Sequence, residues 1–133
     1  MAIVLVDTDV VSFLLKGDSR ASAYAPLLQG HQLALSFMTV AELYQWAAIR
    51  KWGARRRQQL DQALTSYLVV PVDIEMCRIW GDLRAEQQSA GHTISPQDAW
   101  IAATALRHRA PLITHNARDY QHIVALDVRI ARP

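Results

Sequence analysis

Asp7 follows directly on a short hydrophobic run, residues 3–6, that predicts a buried strand. A carboxylate at the end of such a strand is partly desolvated, which costs several kcal/mol unless the group is paired or binds a metal. The side chain could instead cap the following helix, but Asp9 can fill that role. Asp7 is therefore the first candidate for a functional acid.

Glu42 and Asp98 both stand in the first turn of a predicted helix, where an acid also suits the helix dipole. Thr39 and Glu42 have the spacing of a capping box, and Ser95 and Asp98 resemble one with Asp in place of Glu. Capping alone would explain both acids. Asp98, however, begins an apolar stripe of its helix, so we expect its side chain to point toward the interior. A cap does not require that direction. The stripe consists of Ile101, Ala102 and Ala105.

Polar residues also follow the predicted fourth strand. Asn116 and Asp119 lie just beyond it, and a surface turn is the alternative explanation for both. Thr8, beside Asp7, and Thr114, at the end of the fourth strand, carry hydroxyl groups that can hydrogen-bond acids or metal-bound water. Because functional crevices lie beyond the carboxyl ends of parallel strands, we expect these groups to share one edge of the sheet with Asp7.

The predicted convergence of these carboxylates indicates a metal site. Two like charges about 4 Å apart, at an effective dielectric constant of about 20, repel by roughly 4 kcal/mol, so such a cluster stays ionised only around a cation. Oxygen ligands without cysteine or paired histidine favour Mg²⁺ or Mn²⁺ over zinc. These ions lower the pKa of an attacking water and neutralise the leaving oxygen in phosphodiester hydrolysis.

The elements that must bring these residues together alternate between strands and helices. Strands joined by crossover helices form a parallel sheet covered on both faces, so we predict a three-layer α/β fold with a central, mostly parallel five-stranded sheet. The predicted strands are residues 3–6, 32–36, 69–72, 111–114 and 128–130. The predicted helices are residues 9–16, 22–29, 39–52 with Gly53 as its C-terminal cap, 55–68, one that runs from about 76 to near 91, and one that opens at Ser95.

Length and composition bound the class of protein. The 133 residues suit a single domain over residues 1–133, and 51% hydrophobic with 20% charged residues is the composition of a folded, soluble chain. No apolar run approaches the roughly 20 residues of a membrane helix, and the apolar start of the chain lacks a basic leader. The single cysteine, Cys77, cannot form an internal disulfide, so we expect a cytoplasmic protein.

A basic cluster lies between two predicted helices, beside Trp46 and Trp52. As an RNA contact it would hold phosphates while a tryptophan stacks on a base. As a solvated helix end, its cations would suit the negative C-terminus of the preceding helix. A net charge of +2 does not decide between the two. The cluster consists of Arg50, Lys51, Arg55, Arg56 and Arg57.

Four segments of the chain resemble the PIN-domain family, and within it the small VapC-like toxin ribonucleases of bacterial toxin–antitoxin pairs. Each segment alone is a weak signal, but the four occur in the family's order and span nearly the whole chain. They are residues 4–10 (VLVDTDV), 36–43 (SFMTVAEL), 98–105 (DAWIAATA) and 112–120 (LITHNARDY).

The resemblance implies a PIN-like fold, an Mg²⁺- or Mn²⁺-dependent endoribonuclease, a homodimer, and a cognate antitoxin that holds the toxin inactive. Carried over by position, Asp7, Glu42 and Asp98 are the metal-site acids. At residue 9 the family most often has Asn, so Asp9 adds a carboxylate to the edge of the site. The fourth acid of the family often aligns with residue 116, a neutral Asn here, or lies three residues on, at residue 119, which leaves both the fourth ligand and the number of metal ions open.

Two other functions compete with the ribonuclease. Residues 7–11 (DTDVV) also resemble the DxDx[TV] motif of haloacid-dehalogenase-like phosphatases, in which Asp7 would be the nucleophile and Asp9 the acid/base. The lysine that such enzymes require is missing, since Lys16 and Lys51 are both badly placed. The second competitor is a degenerate, non-catalytic PIN-like module that binds RNA or a protein, which the neutral Asn116 supports.

Overall fold

A computed structural model describes residues 2–131, which form a five-stranded sheet with helices packed on both faces. The strands are β1 (Ile3–Val6), β2 (Gln32–Ser36), β3 (Leu68–Val70), β4 (Leu112–Ile113) and β5 (Val128–Arg129). Their order is β3-β2-β1-β4-β5, and every neighbouring pair is parallel. The helices are α1 (Thr8–Lys16), α2 (Ala21–Leu28), α3 (Phe37–Ile49), α4 (Ala54–Leu64), α5 (Ile74–Ser89) and α6 (Pro96–His108), with a 3₁₀ helix at Ala117–Tyr120. The predicted α/β class is confirmed.

Strand β1 lies in the centre of the sheet, and its side chains alternate between two hydrophobic cores. Val4 and Val6 belong to a core shared with α1 to α4, whereas Leu5 belongs to a core shared with α6 and the 3₁₀ helix. All three are at most 1% exposed. Burial on both faces explains the unbroken apolar run and places the next residue, Asp7, at the carboxyl edge of the sheet.

Helix α6 begins where the sequence predicts. Ser95 is its N-cap and accepts the backbone N–H of Asp98 at 3.0 Å, with Pro96 as the first helical residue. The alanines in its middle are buried, which lets the helix pack closely against the sheet and α5. They are Ala99, Ala102, Ala103 and Ala105. None of the helices between residues 2 and 131 combines the length and the hydrophobicity needed to cross a membrane.

The helices α1 to α5 each begin one or two residues earlier than predicted. At α1 and α3 the reason is that the residue that ends or follows the strand also caps the helix. Helix α3 begins at Phe37, two residues earlier than predicted, since Ser36 Oγ accepts the backbone N–H of Met38 at 3.2 Å. Helix α1 begins one residue earlier than predicted, since Asp7 Oδ1 accepts the backbone N–H of Thr8 at 2.8 Å. Both strands therefore pass into helices without an intervening loop.

The connection between α3 and α4 also differs from the prediction. Helix α3 ends at Ile49, where the backbone N–H of Trp52 donates to the carbonyl of Ala47 at 3.0 Å and closes the last turn. Lys51, and not the predicted cap Gly53, takes the left-handed conformation (φ 53°) after the helix. Gly53, at φ −72°, is instead the N-cap of α4. Helix α4 ends four residues earlier than predicted, and β3 starts one residue earlier.

We expect Ala102→Leu to lower the free energy of unfolding by about 1–3 kcal/mol, because a fully buried position between α6 and the sheet has no room for a larger side chain. The matched control is Ala85→Leu, at an exposed position of α5, where the change should stay within about 0.5 kcal/mol. Urea unfolding followed by circular dichroism measures both variants. Equal effects at the two positions would contradict close packing around α6.

Candidate active site

The carboxyl ends of β1 and β4 lie side by side and bring Asp7 and Thr114 together, as predicted. The backbone N–H of Asp7 donates to the carbonyl of Ile113 at 2.9 Å. Thr114 Oγ1 donates to Asp7 Oδ2 at 2.7 Å, and both side chains are buried. Strand pairing thus supplies the first contact of the candidate site, between residues 107 positions apart in the chain.

Asp7 is a helix cap and a buried acid at the same time. Its Oδ1 accepts the backbone N–H of Thr8 at 2.8 Å, while its Oδ2 accepts from Thr114 and also from the hydroxyl of Tyr120 at 3.0 Å. Burial, followed by the charge of Asp9, raises the pKa of Asp7 to about 7. Helix capping, the alternative to a functional role, therefore explains the contact of Oδ1 only. It does not explain the two hydrogen bonds to Oδ2.

Tyr120 links Asp7 to Asp98, a role that its position in the sequence does not reveal. Its hydroxyl lies 3.0 Å from Asp7 Oδ2 and 3.3 Å from Asp98 Oδ1, and the side chain is 1% exposed. A general signal could have identified it, because a buried tyrosine needs a polar partner for its hydroxyl. Tyr120 is the last residue of the 3₁₀ helix that follows β4. Asp98 itself is half-buried, and burial together with the charge of Asp119 raises its pKa.

Glu42 joins the site through Thr8 rather than through a capping box. Thr8 Oγ1 donates to Glu42 Oε1 at 3.0 Å and also lies 3.0 Å from the hydroxyl of Thr39. The predicted cap is wrong because α3 already begins at residue 37, which places Glu42 in the second turn of the helix. Burial raises the pKa of Glu42, and the charges of Asp98 and Asp9 raise it further, so the three acids lie within electrostatic reach of one another.

Asp9 lies at the edge of this group and is half-buried. Its Oδ1 accepts the backbone N–H of Val10 at 2.7 Å, and its Oδ2 accepts the backbone N–H of His115 at 3.1 Å. Burial raises its pKa. Asp9 therefore ties α1 to the segment after β4, in addition to adding negative charge beside Asp7.

Asn116 and Asp119 lie next to the acids, and both side chains are exposed. The backbone N–H of Asn116 donates to Thr114 Oγ1 at 3.1 Å, so Thr114 receives one hydrogen bond and gives another to Asp7. Asp119 stands in the 3₁₀ helix, close enough for its charge to raise the pKa of Asp98. The choice between them as a fourth ligand stays a prediction.

The acids are joined through hydroxyl groups and are not gathered around one point. Within residues 2–131, no three His, Cys, Asp or Glu side chains already form a set that could hold a metal ion. Mg²⁺, however, commonly binds through one or two carboxylates and keeps several waters. Asp7 and Asp98, which share the Tyr120 hydroxyl in surroundings of oxygen donors, fit such an ion. A cation would also favour the charged forms that burial disfavours.

The predicted RNA-binding cluster lies beyond the C-terminal end of α3, away from the acids. At about 1.5 Å per residue, Arg50 is about 12 Å further along the helix than Glu42. All five cations of the cluster are exposed. The guanidinium of Arg56 lies 4.2 Å from the ring centre of Trp52, and that of Arg50 lies 5.6 Å from the ring centre of Trp46. These tryptophans are thus partly covered by arginines of the cluster, and an RNA contact there stays a prediction.

The raised pKa of Asp7 predicts a pH-dependent stability for the metal-free protein. Native Asp7 keeps its proton up to about pH 7, whereas the unfolded chain releases it near 3.8. The native state therefore binds more protons between these values, and stability falls as the pH rises through that window. The slope is about 1.4 kcal/mol per pH unit while one proton is released. We expect Asp7→Asn to reduce this fall, because the raised pKa values of Asp9, Glu42 and Asp98 remain, and to be more stable than the wild type above the window.

Urea unfolding in EDTA at a series of pH values measures this difference. Asp82→Asn, which changes an exposed acid on α5, is the control and should follow the wild-type profile. Parallel profiles for the wild type and Asp7→Asn would mean that Asp7 ionises normally in the folded protein.

Known proteins resemble this chain over nearly its whole length. Ribonuclease VapC1 of Haemophilus influenzae strain R2866 is 30% identical over 131 residues, which cover 93% of this chain and 94% of the relative. The structure of VapBC-1 from nontypeable Haemophilus influenzae superposes with a TM-score of 0.83 at 28% identity, covering 96% of this chain and 97% of that one. A toxin–antitoxin complex from Klebsiella pneumoniae superposes with a TM-score of 0.77 at 26% identity, covering 97% and 98%.

The family model of the PIN domain matches residues 4–125, a range that includes the acids of the candidate site. The match contradicts the phosphatase alternative. Since the model covers well over half of the chain, this protein belongs to the PIN-domain family.

Proposed function

We propose that this protein is a metal-dependent endoribonuclease and the toxin of a toxin–antitoxin pair. The observation that carries the proposal is that acids from three separate elements are linked through shared hydrogen-bond donors: Asp7 after β1, Glu42 in α3 and Asp98 in α6. Thr8 links Asp7 to Glu42, and Tyr120 links Asp7 to Asp98. The similarity to a protein named ribonuclease VapC1 and to a toxin–antitoxin complex supports it.

The proposed ligands of Mg²⁺ or Mn²⁺ are Asp7, Glu42 and Asp98, with Asn116 or Asp119 as a fourth. When bound, the ion supplies a Lewis acid that lowers the pKa of the attacking water and neutralises charge on the phosphate. Hydrolysis forms a bond from the water oxygen to phosphorus and breaks the bond from phosphorus to the leaving ribose oxygen, which takes up a proton.

The neighbouring residues hold the acids in place for this reaction. Thr8 donates its backbone N–H to Asp7 Oδ1 and its hydroxyl to Glu42 Oε1. Thr114 and Tyr120 both donate to Asp7 Oδ2, which leaves a free lone pair on Oδ1 for a cation. Carboxylates fixed in this way need little reorganisation when they take part in the reaction.

The proposed partners are an RNA substrate, a cognate antitoxin and a second copy of the chain. The antitoxin is supported by the similarity to the toxin–antitoxin complex from Klebsiella pneumoniae. The basic cluster, which lies in the connection from α3 to α4 and in the first turn of α4, is proposed to hold RNA phosphates at a distance from the acids. We expect a cytoplasmic homodimer, whose mass light scattering after gel filtration would measure.

The competing function is a degenerate PIN-like module that binds RNA or protein without cleavage. Two observations favour it: the residue aligned with the fourth acid is the exposed, neutral Asn116, and no three acids within residues 2–131 form a ready metal set. The two functions differ in one measurement, since only the enzyme cleaves RNA when Mn²⁺ is added.

We expect Asp98→Asn to reduce Mn²⁺-dependent RNA cleavage by more than about 100-fold, because losing a ligand exceeds the 10–100-fold effect of changing a group that only supports one. Asp119→Asn should cause a smaller loss, because Asp119 is exposed and shares its proposed role with Asn116. The assay follows cleavage of labelled RNA by purified protein, with EDTA abolishing it.

The control for both variants is Asp82→Asn, which removes an exposed acid on α5 and should leave cleavage unchanged. Asp98→Asn cleaving at the wild-type rate would remove Asp98 from the site. A wild-type protein that binds RNA but never cleaves it, with any divalent ion, would favour the non-catalytic module.

The joint change of Arg55, Arg56 and Arg57 to Ala is expected to raise KM for RNA and to flatten its dependence on salt, because fewer phosphate contacts release fewer counterions. The value of kcat should stay the same, since the cluster lies away from the acids. Changing Arg78, on the exposed surface of α5, is the control. An unchanged salt slope would make the cluster a solvated helix end.

A further inference from the structure

Within residues 2–131, Tyr120 is the one side chain that hydrogen-bonds two of the proposed metal-site acids. It is the last residue of the 3₁₀ helix and is 1% exposed. Its hydroxyl lies 3.0 Å from Asp7 Oδ2 and 3.3 Å from Asp98 Oδ1. The two acids belong to different elements, so this hydroxyl is a direct link between the end of β1 and the start of α6.

The two acids depend on this link to different degrees. Asp7 has other donors on both of its oxygens, the backbone N–H of Thr8 at 2.8 Å and the hydroxyl of Thr114 at 2.7 Å. The hydroxyl of Ser95 accepts the backbone N–H of Asp98 at 3.0 Å and in this way fixes the main chain of the first turn. Tyr120 therefore contributes most by orienting the Asp98 carboxylate relative to an Asp7 that is already held.

Packing explains the ring of Tyr120 but not its hydroxyl. The ring lies in the hydrophobic core shared by β1, α6 and β4, together with Leu5, Leu112 and Ile123. A phenylalanine would fill the same space. If the residue served packing alone, removing the hydroxyl would change neither ion binding nor turnover.

We propose that the Tyr120 hydroxyl is a positioning group that holds the carboxylates of Asp7 and Asp98 ready for a shared divalent cation. The inference rests on the proposed function, because it needs these acids to be ligands. One O–H group shared by two carboxylates restricts the rotation of both. Because the two carboxylates are already ordered before the ion binds, less conformational entropy is lost on binding.

The test is Tyr120→Phe, which removes one oxygen atom from the protein. We expect Mn²⁺ affinity, measured by calorimetry without RNA, to weaken about 10-fold, as for other groups that orient metal ligands. We also expect kcat for RNA cleavage to fall by about the same factor with KM unchanged, because the hydroxyl contacts acids rather than the proposed RNA surface.

Two controls separate this effect from the loss of any tyrosine hydroxyl. Tyr44→Phe removes a hydroxyl that donates to Asp61 Oδ1 at 2.6 Å, a tyrosine–aspartate pair outside the site, and should leave Mn²⁺ affinity unchanged. Tyr120→Phe in an Asp98→Asn background should cause little further loss, because the tyrosine acts through that acid.

The outcomes distinguish this proposal from the function on which it rests. If the wild type binds no Mn²⁺, or if Asp98→Asn binds as well as the wild type, the proposed metal site fails. If Asp98→Asn loses affinity but Tyr120→Phe matches the wild type, the positioning role alone is overturned. Tighter binding by Tyr120→Phe would also overturn it, by making the hydroxyl a competitor of the ion.

A measurement on the wild-type protein keeps the proposal testable if Tyr120→Phe does not fold. The chain has four tyrosines, and labelling with 3-fluorotyrosine makes each visible by ¹⁹F NMR. The Tyr24, Tyr44 and Tyr67 signals are assigned by their Phe variants, and the fourth belongs to Tyr120. Adding Mg²⁺ should shift the Tyr120 signal and leave the Tyr44 signal in place. A Tyr120 signal that does not respond while the ion binds would overturn the proposal.

Discussion

The burial of a carboxylate at the end of the central strand is the constraint on which the candidate site depends. Because β1 is covered on both faces, the residue that follows it cannot reach open solvent, and Asp7 is 6% exposed. A buried charge requires partners. The structure supplies them from three places in the chain: the start of α1, the end of β4 and the 3₁₀ helix. The same donors draw the other elements of the site toward Asp7.

Helix caps bring the remaining acids to the same edge. Ser36 ends β2 and caps α3, so Glu42 lies in the second turn of a helix that starts at the sheet edge. Ser95, in the connection between α5 and α6, caps α6 and places Asp98 in its first turn. Helix α3 leaves the sheet at the end of β2, and α6, which follows α5, runs back to the start of β4, so the N-termini of both helices lie toward the carboxyl edge of the sheet. Such folds form their functional crevices at this edge.

The acids destabilise one another, and the site must compensate for this. Burial raises the pKa of Asp7, Asp9, Glu42 and Asp98. The charges of neighbouring acids raise the pKa further at Asp7, Glu42 and Asp98. Hydroxyl groups offset part of the cost by donating to the charged forms. A divalent cation would offset more, because a full charge interacts more strongly with carboxylates than an O–H dipole does. Acids with pKa values shifted by burial and by neighbouring charges are common at functional sites.

The sequence by itself determined the α/β class, the order of the elements, the meeting of Asp7 with Thr114 and the family, because hydrophobic periods and motif order are local patterns that survive in one chain. It placed the starts of α1 and α3 wrongly, since several neighbouring residues can cap a helix and local sequence does not rank them. Only the tertiary structure decided which hydroxyl reaches which acid. Tyr120 lies 113 residues from Asp7, and no periodicity encodes a contact that packing of the 3₁₀ helix creates.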